Sequence, residues 1–185
     1  MSRRAGRPPR RTAAASRDAI VEAALALLDA KGVDAFAMRA LAERLGVTPM
    51  AIYHHFKGRD GLIAAMTERV YGGVAAPADG APCDRIEGLL RGYHRQVLKH
   101  PGLALLIFSR PSVFPDQARR ITEDIARLLA EAGLAPERVR LWIDILVDFT
   151  HGAAIAIAMG GGADPDGGAD AYDAALRELL AGLSA

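Results

Sequence analysis

Apolar positions along this chain recur at three- and four-residue intervals, and no sustained two-residue alternation of the kind a half-buried strand needs is present. Ile20, Ala23, Ala24, Leu27 and Leu28 fall on one face of a helix that Ser16 can cap and that Lys31 and Gly32 end. The pattern predicts further helices over Met38–Leu45, stopped by Gly46, over Pro49–Phe56, and from about Arg59 to Tyr71. From Gly72 to Pro82 the residues turn to Gly, Pro and Ala, which reads as a connection between domains. Beyond it lie helical segments at about Asp84–His100, Leu103–Arg110, Asp116–Ala132 and Pro136–Met159, a loop over Gly160–Gly168, and a last helix over Ala169–Leu183. The expectation is an all-α fold of about nine helices, a small N-terminal bundle (residues 16–75) and a larger C-terminal one (76–185). Residues 1–15 have no apolar face and read as a disordered basic arm.

Charge changes this picture, because a net charge of +1 hides an asymmetry. Residues 1–59 hold 11 Lys and Arg against 5 Asp and Glu, and the remainder holds 12 against 17. A basic front third joined to an acidic remainder suggests a polyanion-binding module attached to something else. With 51% apolar residues the chain is too ordered in composition for a disordered polypeptide. The single cysteine, Cys83, excludes a disulfide framework and a multi-cysteine zinc site. No stretch approaches the ~20 uninterrupted apolar residues of a membrane span. Phe149–Ala163 comes nearest, but it is short and glycine-rich. Asp18, Glu22 and Asp29 interrupt the apolar residues after the Arg-rich start, so no signal peptide is visible. A cytoplasmic protein with no membrane association is expected.

Residues 37–56 carry the chemistry. Two short helices share a tight corner, for which Leu41, Leu45, Val47, Ile52 and Phe56 supply buried contacts. Ala42 is small where the helices approach, and Gly46 can take the positive φ of the turn. Thr48 and Pro49 start the second helix sharply, as N-cap and first helical residue. This is a helix-turn-helix pattern, whose second helix would enter a DNA major groove. An ordinary αα-corner satisfies most of the same demands, so the flanking residues decide. Ile20-Val21-Glu22-Ala23-Ala24, Leu27-Leu28 and Gly32 precede it. Leu41-Ala42-Glu43-Arg44-Leu45-Gly46-Val47, Ile52-Tyr53-His54-His55-Phe56-Lys57 and Asp60-Gly61-Leu62 complete it. Together, Ile20 to Met66 resembles the DNA-binding domain of the TetR family of bacterial transcriptional regulators. Residues 84–185 resemble that family's ligand-binding and dimerising domain more weakly, through helix lengths and the matches at Pro101-Gly102 and Gly133–Arg138.

The resemblance implies that Tyr53 and Lys57 contact phosphates, for which each has a donor. It implies that Arg39 reaches a base edge, where its fork suits guanine O6 and N7. One of His54 and His55 would meet a phosphate while the other packs against the first helix, and the sequence leaves open which. Thr48, Pro49, Met50 and Ala51 form the front of the recognition helix, where the apolar groups suit thymine methyls. Ala37 departs from the family, which usually has Ser or Thr capping the preceding helix.

In the C-terminal part, Tyr93, Phe108, Phe114, Trp142, Ile145 and Phe149 are large side chains at helical spacing and candidates to line a ligand pocket. Asp144, Asp148 and His151 share one helical face. That face suits a cation, amine or metal-chelate contact, but one helix supplying all three without a fourth ligand favours an exposed stripe or a dimer contact. Asp164-Pro165-Asp166 fails as a calcium loop, because Ala169 and Ala175 stand where Gly and Glu are needed. No nucleophile elbow, phosphate loop or dinucleotide fingerprint is present. Neither catalytic residues nor a metal or cofactor are expected. The resemblance implies a repressor, homodimeric through its last two helices, bound to a double-stranded operator and released by a small molecule of unknown identity. A regulator answering to a protein partner, or an activator, is the alternative. An all-α enzyme or stress protein with an incidental αα-corner is a third reading.

Arg3, Arg4, Arg7, Arg10 and Arg11 place five cations in the arm with no acid among them. The segment Arg4–Arg10 resembles the Gly-Arg-Pro core of minor-groove hooks, so the arm is expected to track a minor groove beside each half-site. Deleting residues 2–11 should weaken DNA binding and flatten its dependence on salt, because fewer counterions are released. An unchanged salt slope, measured by fluorescence anisotropy, would remove the arm from the interface.

Overall fold

The computed structural model describes residues 15–109, 115–159 and 165–184. Residues 1–14 of the expected basic arm, Phe114 and Asp164 lie outside the described residues, and Ala15 packs half-buried against the core. Those described form nine α-helices and a terminal 3-10 turn, with no strand. The helices are α1 (Arg17–Lys31), α2 (Met38–Leu45), α3 (Pro49–His55), α4 (Gly58–Tyr71), α5 (Pro82–Lys99), α6 (Pro101–Phe108), α7 (Asp116–Glu131), α8 (Pro136–Met159) and α9 (Pro165–Ala181). Three begin two or more residues earlier than expected, α5 at Pro82 instead of Asp84, α6 at Pro101 instead of Leu103 and α9 at Pro165 instead of Ala169. In each a proline opens the helix, where its missing N–H costs nothing.

Local chemistry accounts for the helix ends. Ser16 Oγ accepts the Ala19 N–H at 3.1 Å, and Gly32, at φ 74°, donates its N–H to the Leu28 carbonyl at 2.8 Å. Thr48 Oγ1 accepts the Ala51 N–H at 3.3 Å, with Pro49 in the first turn. Gly46 sits in the left-handed region at φ 65°, ψ 28°, and the following Val47 N–H closes on the Ala42 carbonyl at 3.0 Å. That conformation turns α2 into α3 and disfavours a side chain there.

Leu41, Ala42, Ile52 and Phe56 are buried with Ile20, Ala24, Leu27 and Leu28 of α1 and with Leu62, Ile63 and Met66 of α4. Leu45 and Val47 are half-buried against the same cluster. In the C-terminal bundle α5 packs on α7, α8 and α9, and α8 also packs on α6 and α7. The two halves meet directly, because α4 packs against α1 and α7, and α6 packs against α1. Arg120 Nη2 of α7 lies 2.8 Å from Glu68 Oε2 of α4, and His100 Nδ1 lies 2.9 Å from Asp29 Oδ2 of α1. A side chain at Gly102 would press on Leu28, with Cβ only 3.1 Å from its Cγ, so glycine permits the close approach of α6 to α1.

Contrary to the sequence expectation, α8 is long and apolar enough to cross a membrane by length and composition. Its packing against α5, α6, α7 and α9, and the acids and histidine in its middle, mark it as a bundle helix.

The first residue of α2 lacks a side-chain cap, since Ala37 makes no such hydrogen bond while its backbone is already extended. Ala37→Ser should supply one without moving the chain and stabilise the fold by about 1 kcal/mol. A urea midpoint that stays the same or falls would contradict this reading of the α2 start.

Candidate functional site

The helix-turn-helix exposes one face of α3. Met50 is 64% and Tyr53 44% exposed, while Ile52 and Phe56 point inward and anchor the helix. Thr48, Pro49, His54, His55 and Lys57 are exposed with them, and Ala51 is half-buried at the edge of that face. Both histidines are exposed, so the expectation that one packs against α1 does not hold. The inward position is already filled by Phe56. Arg39 projects from α2 with its Nε 3.2 Å from Glu43 Oε1, both side chains mostly in solvent. An ion pair that exposed holds the guanidinium weakly and leaves it ready to exchange partners. Arg17 lies 5.2 Å over the Phe56 ring, a contact between the start of α1 and the end of α3 that the sequence reading did not assign.

A cavity of about 240 Å³ opens within the other half, where α4, α5, α6, α7 and α8 converge. Its apolar wall comes from Ala104, Ile107 and Phe108 of α6, Ala118 and Ile121 of α7, and Ile143 and Val147 of α8. Tyr71, the last residue of α4, and Tyr93 of α5 add aromatic faces, their rings 5.1 Å apart. The polar lining is Thr122, Asp144, Asp148 and His151. His151 is buried, with its Nε2 2.6 Å from the Tyr93 hydroxyl oxygen, and the rings of Tyr93 and Phe108 meet it edge-on. Burial holds the Tyr93 hydroxyl well above its usual pKa and His151 below its own, so the pair is two neutral groups. The other ring nitrogen, Nδ1, makes no well-formed hydrogen bond, and only the Val147 carbonyl one turn back supports it weakly.

The cavity takes up the sequence candidates unevenly. Tyr93 and Phe108 border it, whereas Trp142, Ile145 and Phe149 do not. Phe149 stacks on Tyr172 of α9 at 5.3 Å, and Trp142, seven residues earlier, shares that side of α8. The cavity lies on the other side, where Asp144, Asp148 and His151 were expected to form an exposed stripe or a dimer contact. Asp144 and Asp148 are exposed while lining it, and only His151, which is buried, departs from an exposed stripe. Among the described residues no group of three His, Cys, Asp or Glu has the arrangement to hold a metal ion.

Comparison with known proteins bears on this arrangement. The profile of the family described as "Bacterial regulatory proteins, tetR family" matches residues 20–66, from α1 through most of α4. An HTH-type transcriptional regulator of Saccharopolyspora erythraea is 34% identical over 120 residues, 64% of this chain and 50% of the relative. The HTH-type transcriptional repressor DrrR1 of Streptomyces coeruleorubidus is 30% identical over 155 residues, 82% of this chain and 56% of the relative. The structure of Mycobacterium smegmatis BioQ superposes with a TM-score of 0.75 at 25% identity, covering 91% of this chain and 97% of BioQ. The chain belongs to the TetR family. It spans about half the length of these two curated relatives.

Within this TetR-family chain, sequence reasoning missed Tyr71, because the residue was grouped with the DNA-binding half. It also missed the α7 residues Ala118, Ile121 and Thr122, whose small and β-branched side chains carry no signal beyond ordinary core. A second polar cluster was also not foreseen. His94 stacks on Tyr172 at 3.7 Å, and the Tyr172 hydroxyl meets Thr150 Oγ1 at 2.8 Å.

Burial pushes His94 down to about 4. An unfolded histidine takes up its proton near pH 6.5, so below that pH the unfolded state binds more protons and stability falls until the folded ring protonates. Between pH 6.5 and 5 this should cost about 2 kcal/mol, with His151 adding in the same direction. His94→Phe keeps the stack and removes the proton, so its urea-unfolding stability should fall less over this range. An identical pH slope would show that His94 does not titrate this way.

Proposed function

We propose that the chain is a transcriptional repressor that occupies a two-fold DNA operator as a homodimer and leaves it when a small molecule enters the bundle cavity. The observation that carries this reading is the position of Tyr71, which lines the cavity at the end of α4, the helix that follows α3 in the chain and packs on α1, against which α2 also packs. An occupant that alters the seating of Tyr71 acts on α4 and thereby on the angle of α3. A ligand shifts the balance only through unequal affinity for the two arrangements. BioQ has been solved with its double-stranded DNA operator, and a TetR from Acinetobacter baumannii in complex with minocycline. DrrR1 bears the description of a repressor.

Met50 and Ala51 at the front of α3 suit T-rich core positions, with Arg39 on a guanine nearby and Tyr53, His54, His55 and Lys57 on phosphates. Dimerisation uses α8 and α9. Leu141 (57% exposed) and Met159 (79% exposed) leave apolar surface on α8, and the small residues Gly152 and Ala156 lie exposed between them. In this reading the arm is 1–15, the DNA-binding domain 16–75 and the effector and dimer domain 76–185, in a cytoplasmic protein without enzymatic activity.

Arg39→Ala should relax selectivity at one or two operator positions by roughly 1–3 kcal/mol, whereas Lys57→Ala should weaken all sequences alike. Competition gel shifts against single-base operator variants distinguish the two. An Arg39→Ala protein with unaltered base preferences would remove Arg39 from base reading.

A further inference from the structure

We propose that the bundle cavity takes an organic cation, its apolar body held among Phe108, Tyr71 and Tyr93 and its positive charge set against Asp144 and Asp148. This deepens the effector reading above by naming the chemical class of the occupant. Three observations converge on it. Among the described residues the charged side chains on the wall are both carboxylates, and none of those lining the cavity is a Lys or Arg. Asp144 and Asp148 stand one turn apart on α8 and are exposed. Among the described residues neither takes part in an ion pair. Two arginines on the helices packed against α8 find other acids. Arg120 takes Glu68, and Arg91 takes Glu87 and Asp173.

The remaining wall suits such an occupant. Aromatic faces stabilise a cation beyond the area they bury, and the aliphatic side chains of Ile107, Ile121, Ile143 and Val147 desolvate its hydrocarbon part. The buried end holds a neutral histidine. His151 is only 8% exposed, Tyr93 fixes its Nε2, and its Nδ1 lacks a well-formed partner. When the Tyr93 O–H donates to Nε2, the ring proton sits on Nδ1, near the Val147 carbonyl of the same helix, so the His151 ring meets the occupant as a neutral aromatic face. Among the described residues an anionic occupant would instead face two carboxylates on the wall and no lining cation, a repulsion that selects against carboxylates and phosphates.

The test measures binding to the full chain without DNA, so its outcome is separate from that of the operator reading. Isothermal titration would use benzyltrimethylammonium and tetraphenylphosphonium as compact and bulky cations, with tetraphenylborate carrying the bulky shape on an anion. At least one cation should bind, tetraphenylborate should not, and added salt should weaken the cation. The Asp144→Asn/Asp148→Asn protein, checked for an unchanged circular dichroism spectrum, should bind that cation about tenfold more weakly. Failure of both cations, binding of tetraphenylborate as tight as that of the cations, or an unaltered affinity in the double variant would each overturn the proposal. A cation that binds as described but leaves operator affinity unchanged would uphold the cavity's chemistry and overturn only its role as the effector site.

Discussion

The burial of α4 on two sides at once is the constraint from which the rest of the molecule follows. Leu62, Ile63 and Met66 are sealed in the core with residues of α1, α2 and α3, and four to nine residues later Val70 and Tyr71 are sealed in the junction with the other half. A helix held at both ends transmits displacement along its axis, because close-packed side chains shift together or not at all. The ion pairs Arg120–Glu68 and Arg69–Glu22 brace it against α7 and α1, but both are largely exposed and contribute little beside the packing. The link between cavity and reading head is therefore apolar and short.

The two ends of the chain use polarity in opposite ways. On α3 the polar groups stand in solvent, backed by Ile52 and Phe56, where they are free to exchange water for phosphate and base edges. In the bundle they are drawn inward and kept neutral. Tyr93 with His151, and His94 with Tyr172 and Thr150, form two clusters across α5, α8 and α9. Buried networks of this kind specify one packing when satisfied. His151 Nδ1 and His94 Nε2 are both left without a well-formed partner, so neither network is closed.

The helix-turn-helix was legible because its constraints are local. Gly46 needs a positive φ, Thr48 and Pro49 announce a helix start, and Ala42 marks a close approach, each decided within a few residues. The cavity was legible only in part because its wall is assembled from five helices distant in sequence. Tyr93 and Phe108 stood out by size, but size also pointed to Trp142 and Phe149, which face α9. Periodicity placed Asp144, Asp148 and His151 on one face of α8 without saying what that face meets. The answer depends on how α8 is rotated against α5 and α7, and no residue of α8 alone encodes it.

The proposed repressor requires two copies of this chain to present two α3 helices to one DNA duplex. Selection of binding sites from random double-stranded DNA by the full chain tests that requirement. A two-fold symmetric site whose half-sites lie about one helical turn apart should be enriched. Enrichment of no motif, or of a single asymmetric motif without a symmetric counterpart, would contradict it.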